Sequence, residues 1–437
     1  MSLRHVLIGG GPATVAAAAA IRAVDPAAQV TIVAADRNGY YSRPGLAYLL
    51  TGEIPEKSLY PFTADDLGAL RAEWLTARAT RIDRDAQVVT LHDGRSIPYD
   101  RLLLATGSRA IKAKVAGRDL DGVLSLDSMD DARRIIRRCR KGRAALVVGG
   151  GITALEIVEG LRARGLTVHY LLRKERYWGS VLSEQESKLV ESWLEREGVR
   201  VHRNAELAAI IGRDGRVAGA ETEGGERIPC DVVAVAVGVR PALELALDAG
   251  LACARGVLVD EHLRTSDERI YAAGDIAEIL DGGTGKRVLD VLWNVAVAKG
   301  RVAGLNMATS TGHVYEEGVP LNITRLAGLH TTIIGTVGTG KDTDLQGISR
   351  GDSDVWSELG EGGTVEAHAG DAHVRLALGR KALAGAVVMG EQALSFPLQE
   401  LIEARVDARP IAGPLRDGAR VGELVTALWE DWRGRSA

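Results

Sequence analysis

The chain contains two glycine-rich turns of the same kind, and each follows a short apolar run and precedes a helical pattern. The first turn, Gly9-Gly10-Gly11-Pro12-Ala13-Thr14, follows Val6–Ile8. The second, Gly149-Gly150-Gly151-Ile152-Thr153-Ala154, follows Ala145–Val148, and the two turns start 140 positions apart. A strand that ends in such a turn and continues into a helix places the pyrophosphate of a dinucleotide at the helix N-terminus. Two such units therefore predict two nucleotides held face to face.

In the first turn, Gly9 permits the tight bend and Gly11 lets the backbone approach the pyrophosphate, while Pro12 and Ala13 begin the helix. Thr14 occupies the third glycine position of the fingerprint, which weakens the motif. A small β-branched residue still permits close packing of the helix on the strand. We therefore keep this turn as a nucleotide-binding site.

The second turn follows the G-x-G-x-x-A version of the fingerprint, with Gly149, Gly151 and Ala154 at the key positions. Ile152 and Thr153 lie between them and begin the predicted helix. This turn matches the motif more closely than the first, because a small residue stands at every position where the motif needs one.

The strand that follows each helix ends beside the place where a ribose would bind. After the predicted strand Gln29–Ala34, Asp36 stands at the distance of a ribose-binding carboxylate, although a solvated loop acid is the alternative. After the second such strand, Thr167–Leu172, the chain has Arg173-Lys174 and no carboxylate. Cations at this position suit a 2′-phosphate, so we expect NADPH to be accepted. Glu175 nearby leaves NADH open.

Three further segments carry a resemblance to a known family. They are Tyr40–Leu46, which contains Arg43 and Pro44, Leu103–Ser108, which contains Ala105-Thr106-Gly107, and Thr265–Asp275, which ends in Gly274-Asp275. With the two turns, they resemble the pyridine nucleotide-disulfide oxidoreductase superfamily, flavoproteins with two dinucleotide-binding domains. Rubredoxin and ferredoxin reductases and the flavin-binding part of assimilatory nitrite reductase are the similar members. The matching motifs span residues 1–310.

The resemblance implies FAD at the first turn and a nicotinamide nucleotide, NADPH or NADH, at the second. It places Ala105, Thr106 and Gly107 against the flavin nucleotide and Gly274-Asp275 at the ribityl chain. It makes Gly238 part of a hinge between the two domains. Hydride would then pass from the nicotinamide to the flavin, which carries the chemistry itself.

The resemblance also implies three catalytic candidates. Glu156 matches a glutamate near the nicotinamide, with a surface helix acid as its alternative, and Trp293 matches a residue near the flavin, with core filler as its alternative. Tyr48 stands where ferredoxin reductases have a lysine that pairs with the glutamate. Either Lys57 substitutes for that lysine or electron delivery differs.

A redox cysteine, which coenzyme A disulfide reductases carry in the segment aligned with Arg43-Pro44-Gly45, is missing. The resemblance therefore implies an FAD-dependent NAD(P)H oxidoreductase whose electrons go to a small redox protein, a quinone-like acceptor or oxygen. One alternative is a biosynthetic flavin oxidase or monooxygenase acting on a small organic molecule. Another is a flavoprotein whose redox state switches a binding surface.

The order of the motifs predicts an α/β fold with two Rossmann-like three-layer domains, because the flavin signatures bracket the nicotinamide site. We predict an FAD domain at 1–113 and 245–325, an inserted NAD(P)H domain at 114–244, and a C-terminal α+β domain at 326–437. For the last we predict strands at Leu321–Leu329, Thr332–Gly335, His373–Leu378 and Ala384–Met389, a surface excursion at Gly338–Gly363, and an amphipathic helix at Gly418–Trp432. The resemblance implies that this domain forms a homodimer contact.

Composition excludes several other classes. The net charge of −4 argues against a nucleic-acid footprint, and no apolar run is long enough to span a bilayer. The cysteines, Cys139, Cys230 and Cys253, are far apart and the histidines have no metal spacing, so no metal site is expected. Without a secretory h-region, a cytoplasmic location is expected. The basic run Arg133–Arg143 is either a solvated helix face or a docking surface for an acidic electron carrier.

Overall fold

The structure is a computed structural model that describes residues 2–139, 142–280, 287–309, 312–337, 363–369, 372–416 and 420–436. The excursion predicted at Gly338–Gly363 lies, apart from Gly363, outside the described residues. The described α-helices are α1 (Pro12–Val24), α2 (Leu46–Thr51), α3 (Ala64–Ala69), α4 (Met129–Arg138), α5 (Ile152–Ala163), α6 (Glu184–Arg196), α7 (Glu244–Asp248), α8 (Trp293–Ala308), α9 (Ser395–Glu403), α10 (Arg409–Arg416) and α11 (Val421–Ser436). Short 3-10 helices cover Glu56–Leu59 and Gly274–Ile276.

The described strands are, in chain order, β1 (Arg4–Ile8), β2 (Gln29–Ala34), β3 (Glu73–Thr76), β4 (Ala79–Asp83), β5 (Val88–Leu91), β6 (Ser96–Pro98), β7 (Arg101–Leu104), β8 (Ser108–Ala110), β9 (Val123–Leu124), β10 (Ala144–Val148), β11 (Thr167–Leu171), β12 (Arg200–His202), β13 (Leu207–Arg213), β14 (Arg216–Thr222), β15 (Arg227–Ile228), β16 (Val232–Val235), β17 (Val239–Pro241), β18 (Val257–Val259), β19 (Ile270–Ala272), β20 (Ala277–Leu280), β21 (Arg287–Leu289), β22 (Leu321–Leu326), β23 (Leu329–Gly335), β24 (Thr364–Ala369), β25 (Ala372–Leu378) and β26 (Leu383–Met389).

The first parallel sheet has the spatial order β19-β7-β1-β2-β3. Its central strand β1 is buried on both faces, because Val6, Leu7 and Ile8 all lie in the core. The chain places β2 on one side of β1 and β7 on the other, so the strand order reverses at β1. In such sheets a ligand binds beyond the carboxyl ends of the strands at the reversal.

The second parallel sheet, β12-β11-β10-β16-β9, repeats this arrangement with β10 in the place of β1. Alternate residues of β10 face different layers. Ala145 and Val147 pack in the apolar cluster that contains α5, whereas Leu146 packs in the cluster that contains β13, β14 and β15. The sheet is therefore the middle of three layers, and the predicted fold class is confirmed.

A two-stranded ribbon connects the two parallel-sheet units. Ser108–Ala110 pairs antiparallel with Val239–Pro241, so the chain leaves the first unit and returns to it at one place. We propose the limits 1–113 with 245–320 for the first unit and 114–244 for the inserted unit. The start proposed for the C-terminal domain moves from 326 to 321, because β22 begins at Leu321 and belongs to the C-terminal sheet.

The C-terminal domain is an antiparallel sheet, β22-β23-β26-β25-β24, which packs with α9, α10 and α11. The single strand expected at Leu321–Leu329 is wrong: β22 and β23 form a hairpin. Ala327 and Gly328 both have positive φ, +52° and +76°, which is the conformation that a two-residue hairpin turn requires. Arg375 anchors the domain to the inserted unit by donating to Glu186 Oε1 on α6 at 3.0 Å.

The expected amphipathic C-terminal helix is present as α11, which begins three residues later and ends four residues later than predicted. Val421, Val425 and Leu428 are buried in the domain core, so this face is used for packing. Among the described residues, no helix combines the length and the apolar composition that crossing a bilayer requires.

Helices α1 and α8 lie in close contact because two glycines of α8 have no side chain. A Cβ atom at Gly300 would lie 2.2 Å from the carbonyl oxygen of Ala13, and one at Gly304 would lie 2.4 Å from that of Ala17. The first glycine-rich turn opens α1, so α8 holds the position of that turn.

We therefore expect Gly300→Ala to lower the free energy of unfolding by about 1–3 kcal/mol, because overpacking forces α8 away from α1. Chemical denaturation measures the loss. Gly434→Ala in α11 is the matched control, since its Cβ meets nothing within 4 Å, and it should be neutral or stabilising. Equal stabilities of the two variants would contradict the packing argument.

Candidate functional site

Both glycine-rich turns open into one continuous cavity of about 1830 Å³. A pocket for one drug-sized ligand has roughly 300–1,000 Å³, so the cavity has room for more than one. It lies at the carboxyl ends of β1, β7, β10 and β16, the strands at the two reversals of strand order. The place where the topology predicts a ligand and the place where the structure has space therefore coincide.

The first glycine of each turn is fixed by the neighbouring strand. Gly9 has φ +135°, and a Cβ there would lie 2.1 Å from the carbonyl oxygen of Ala105; Gly149 has φ +145°, and a Cβ there would lie 2.1 Å from that of Ala236. Gly11 and Gly151 have nothing within 4 Å of their Cβ positions, because they face the cavity. The two turns thus provide the same cradle twice.

Three helices direct their N-termini at the cavity. The N-cap residues Gly11 of α1, Gly151 of α5 and Leu292 of α8 all line it, and none of these helices has a hydrogen bond from a capping side chain. The N–H groups of the first helical turns therefore remain for a ligand, and they carry partial positive charge. Phosphate groups and a developing anion are the chemistry that such positions favour.

The cavity brings together nearly all predicted site residues. Those that line it are Gly9, Gly11, Pro12, Ala13, Asp36, Arg43, Pro44, Ala105, Thr106, Gly107, Gly149, Gly151, Ile152, Thr153, Glu156, Arg173, Lys174, Gly238, Gly274, Asp275 and Trp293. Tyr48 is not among the lining residues, and neither is the exposed Lys57.

At the end of the first turn, Asp36 is held by its neighbours. Its Oδ1 accepts from Asn38 N–H at 2.9 Å and from Asn38 Nδ2 at 2.7 Å, and its Oδ2 accepts from the Tyr41 hydroxyl at 3.0 Å. Tyr41 in turn accepts from the backbone N–H of Met129 at the start of α4. The carboxylate is therefore oriented before any ligand arrives.

Asp275 lies against Ser108, whose hydroxyl donates to Asp275 Oδ2 at 2.5 Å. Burial raises the pKa of Asp275, and the Ser108 hydrogen bond opposes this. Arg43 lies 3.5 Å from Asp127, and both line the cavity. Sequence reasoning did not select Ser108 or Asp127. Ser108 directly follows the Ala-Thr-Gly turn, which is a usable signal, but nothing in the sequence connects Asp127 with Arg43.

At the second turn, Glu156 and Glu159 lie one helical turn apart on α5. Burial, reinforced by Glu159, raises the pKa of Glu156 to about 7. Burial also raises the pKa of Glu159 to about 7, against the opposing charge of Arg325. Arg325 Nη2 lies 3.8 Å from Glu159 Oε2. Two carboxylates so close together cannot both ionise without a cost.

Arg325 comes from β22 of the C-terminal domain, and its guanidinium lies 5.3 Å from the centre of the Tyr48 ring. Arg325 also pairs with Glu53. Lys57 was one candidate to replace the lysine that pairs with the glutamate in ferredoxin reductases. The structure does not support it, because Lys57 is exposed and does not line the cavity. Arg325 is the cation that the fold brings to the glutamates, and sequence reasoning missed it because it is 169 positions from Glu156.

The strand ends beside the second turn carry charges of both signs. Arg173 and Lys174 are exposed and line the cavity, while Arg176 donates to the carbonyl of Gly179 at 3.1 Å. Glu206, which sequence reasoning did not select, also lines this region. It lies in the segment after β12, where the N–H of the preceding residue, Ala205, donates to the carbonyl of Leu172, so a carboxylate lies near the end of β11.

A row of aromatic rings leads from the cavity to the surface. Trp293 lines the cavity, and its ring centre lies 5.9 Å from that of the buried Tyr40. The Tyr40 ring stacks on Phe62 at 5.3 Å, and Phe62 is 41% exposed. Trp293 is thus partly a packing residue, but its position at the N-terminus of α8 also places it at the cavity wall.

No cysteine lines the cavity within the part of the chain that the structure describes. Burial raises the pKa of all three thiols, that of Cys230 to about 12. Thiols with raised pKa values are poor nucleophiles at neutral pH. Among the described residues, Cys139, Cys230 and Cys253 therefore supply no thiol for exchange at this site.

Comparison with known proteins agrees with this geometry. Residues 3–300 match the family described as pyridine nucleotide-disulphide oxidoreductase. A rubredoxin-NAD(+) reductase of Pseudomonas putida is 34% identical over 314 residues, covering 70% of this chain and 80% of the relative. An NADH oxidase of Methanocaldococcus jannaschii is 30% identical over 316 residues, covering 70% of each. The chain belongs to the pyridine nucleotide-disulphide oxidoreductase family.

As a member of this family, the chain is an FAD-dependent oxidoreductase that uses a nicotinamide nucleotide, as the resemblance implied. The fold agrees: a solved putidaredoxin reductase–putidaredoxin complex superposes with a TM-score of 0.83 at 24% identity, covering 98% of this chain and 99% of the reductase.

The residues of both turns fit the two nucleotides of this pyridine nucleotide-disulphide oxidoreductase. Each turn has one glycine at which a Cβ atom would clash with the neighbouring strand and one glycine whose Cβ position faces the cavity. Each turn also leads into a helix whose N-terminus has no hydrogen bond from a capping side chain. Gly9, Gly11 and the oriented Asp36 would hold FAD, and Gly149, Gly151 and the charged strand ends would hold the nicotinamide nucleotide. FAD, when bound, accepts a hydride and releases its electrons singly or in pairs.

Equivalent glycine-to-alanine substitutions can separate the function of the first turn from that of the second. Gly9→Ala should give protein that loses its yellow flavin, because the new Cβ meets the Ala105 carbonyl. Gly149→Ala should keep the flavin but lower its rate of reduction by NADH at least roughly tenfold. Absorbance of the purified proteins and rapid mixing with NADH measure both effects, and each variant is the other's control. Loss of flavin in both would show that the turns do not act independently.

Proposed function

We propose that this oxidoreductase accepts hydride from a nicotinamide nucleotide at the second turn and passes the electrons to a small redox protein of the rubredoxin or ferredoxin type. The observation that carries the proposal is a single cavity that contains both nucleotide cradles and is lined by no thiol among the described residues. Electrons that cannot leave through a protein disulfide must leave from the flavin itself.

The chain's own residues have four tasks in this function. The turns at Gly9 and Gly149 hold the pyrophosphates, and the ribbon β8–β17 keeps the two units in one relative position. The uncapped N-terminus of α8 favours negative charge at its end of the cavity. Glu156 presents a carboxyl group to the cavity wall.

Oxygen is the acceptor in a second candidate function, which the relative named as an NADH oxidase favours. Fast oxygen consumption with NADH alone would indicate an NADH oxidase. Oxygen consumption that requires an added organic substrate would indicate a biosynthetic flavin oxidase or monooxygenase. A long-lived reduced state with little turnover would select the redox-switched binding module.

We infer that NADH is a substrate and that NADPH is also accepted. The names of the relatives support NADH, and Glu206 offers a carboxylate for a ribose hydroxyl. Arg173 and Lys174 at the same end of the cavity support binding of a 2′-phosphate.

Anaerobic titration with NADH and NADPH, following the flavin absorbance, tests the reductive half-reaction first. Arg173→Ala should then raise KM for NADPH roughly tenfold, about 1.4 kcal/mol, and change KM for NADH little. Glu206→Gln is the matched variant, and it should raise KM for NADH instead. An unchanged KM for NADPH in Arg173→Ala would remove the 2′-phosphate assignment.

The electron carrier is proposed to dock where the aromatic row reaches the surface. Trp293, Val297 and Arg301 lie at spacings of four on α8 and so share one face, and both Val297 and Arg301 are exposed. With Phe62, they form an apolar patch beside a cation, which suits an acidic carrier. The alternative surface on α4 is partly neutralised, because Arg133 pairs with Glu56 at 2.5 Å and Arg138 pairs with Asp121.

Arg301→Glu should raise KM for the carrier roughly tenfold at low salt, with a smaller effect at high salt, because charge steers the encounter. Phe62→Ala should raise the same KM without changing flavin reduction by NADH. Steady-state reduction of rubredoxin or ferredoxin at several salt concentrations measures both. Arg137→Glu tests the α4 surface. If Arg137→Glu raised this KM while Arg301→Glu and Phe62→Ala did not, the docking site would be on α4 instead.

We further propose a cytoplasmic homodimer with contacts through the C-terminal domain. In this proposal Phe396 on α9, which is 52% exposed on that domain, lies in the dimer contact.

A further inference from the structure

The Glu156–Glu159 pair is enclosed by elements from three parts of the chain. Helix α2 packs tightly on α5, because a Cβ at Gly160 would lie 2.6 Å from the Cβ of Leu50. Strand β22 closes the third side, and Glu159 Oε1 accepts from the backbone N–H of Gly328 at 3.2 Å. Glu159 is 6% exposed, whereas Glu156 also faces the cavity. The pair therefore connects the C-terminal domain with the cavity wall.

The charged and titratable groups around the pair come from four elements. Arg325 of β22 is the cation, and Glu53, which follows α2, is the carboxylate that shares Arg325 with Glu159. Tyr48 of α2 lies under the Arg325 guanidinium. The remaining groups are His330 of β23, which interacts electrostatically with Glu53, and the phenols of Tyr170 on β11 and Tyr177 after it, which burial keeps neutral by raising their pKa values.

We propose that Arg325 is a positioning residue that sets how many protons the Glu156–Glu159 pair holds, and thereby the charge that Glu156 presents to the nicotinamide nucleotide. The proposal rests on the proposed function for the binding of the nicotinamide nucleotide at the second turn, and no step in it involves the electron acceptor. The pair exchanges one proton with solvent, and no bond to the nucleotide forms.

The position of Arg325 lets the glutamate pair exist in two charge states that differ by one proton. With its guanidinium shared between Glu53 and Glu159, the cation neutralises only part of the pair. A proton is then retained below the midpoint of titration and released above it. The oxidised nicotinamide ring is positively charged and the reduced ring is neutral, so an ionised Glu156 favours the oxidised form.

The direction of the pH effect follows from the raised pKa of about 7 of each glutamate. Below this value the pair holds its proton, and above it Glu156 becomes anionic. We therefore expect NAD⁺ to bind more tightly and flavin reduction by NADH to accelerate as pH rises through about 7. The free energy of unfolding changes in the opposite sense: it falls as pH rises from the ordinary glutamate range toward 7, because the folded state retains the proton.

Two substitutions should move the midpoint in opposite directions. Arg325→Leu removes the cation that lowers both pKa values, so the midpoint should rise by about 1 pH unit or more. Glu53→Gln removes a carboxylate that raises the pKa of Glu159 and releases Arg325 toward the pair, so the midpoint should fall. Arg325→Lys keeps the charge and should shift the midpoint less than Arg325→Leu.

The measurement is made on the holoenzyme between about pH 5 and pH 9, without any electron acceptor. The infrared band of a protonated carboxylic acid and the Kd for NAD⁺ are followed together, and Glu156→Gln assigns the band. Arg433→Leu is the matched control, because Arg433 also lies over an aromatic ring, Trp429 at 5.0 Å, and pairs with a glutamate, Glu400, far from the cavity.

Opposite shifts for Arg325→Leu and Glu53→Gln, with none for Arg433→Leu, support the proposal. Equal midpoints in all variants, or shifts of one sign, would reduce Arg325 to a packing residue. If Arg325→Leu does not fold, Arg325→Lys and Glu53→Gln give the same decision. Failure to reduce a carrier protein would overturn the proposed function alone, since the midpoints are measured before any acceptor is added.

Discussion

The structure depends on two places where a glycine, and no larger residue, fits between neighbouring parallel strands. At Gly9 and Gly149 the backbone has positive φ and lies against the carbonyl of the next strand, Ala105 or Ala236. This contact fixes the bend that turns each central strand into its helix. The bend in turn directs the helix N-terminus at the cavity. Both proposed nucleotide sites therefore depend on the same steric constraint, used twice.

The symmetry of the two turns does not extend to their surroundings. The first is supported by the close α1–α8 contact at Gly300 and Gly304, and its ribose-side carboxylate Asp36 is already hydrogen-bonded. The second is surrounded by ionisable groups of both signs, and burial raises the pKa values of both Glu156 and Glu159. A rigid first site suits a cofactor that stays bound. A second site with adjustable charge suits a nucleotide that enters, changes charge and leaves.

The sequence predicted mainly those features whose residues lie close together in the chain, and it missed mainly those that depend on residues far apart in the chain. The turns, the strands that precede them and Gly274-Asp275 are local patterns, and the structure places all of these residues around one cavity. The hairpin at Ala327-Gly328 was missed because an alanine with positive φ carries no signal in the sequence. Arg325 and Glu206 were missed for a different reason, since each lies in another part of the chain, Arg325 on β22 and Glu206 after β12, and hydrophobic periodicity does not show that either lies near the second turn. Tyr48 was included among the site residues because ferredoxin reductases have a lysine at this position. A tyrosine ring carries no positive charge, so it cannot pair with Glu156 as that lysine would.

The contact of the C-terminal domain with α5 gives that domain a second role beside the proposed dimer contact. Arg375 anchors its sheet to α6, and Arg325 reaches from the same sheet to the glutamates of α5. A cation delivered by a separate domain is present only when that domain is docked, whereas a cation on α2 would always be present. Moving the charge from α2 to β22 therefore couples the ionisation of the cavity wall to the docking of the C-terminal domain. The tyrosine at position 48 makes this possible, because its ring supports the guanidinium without adding a second charge.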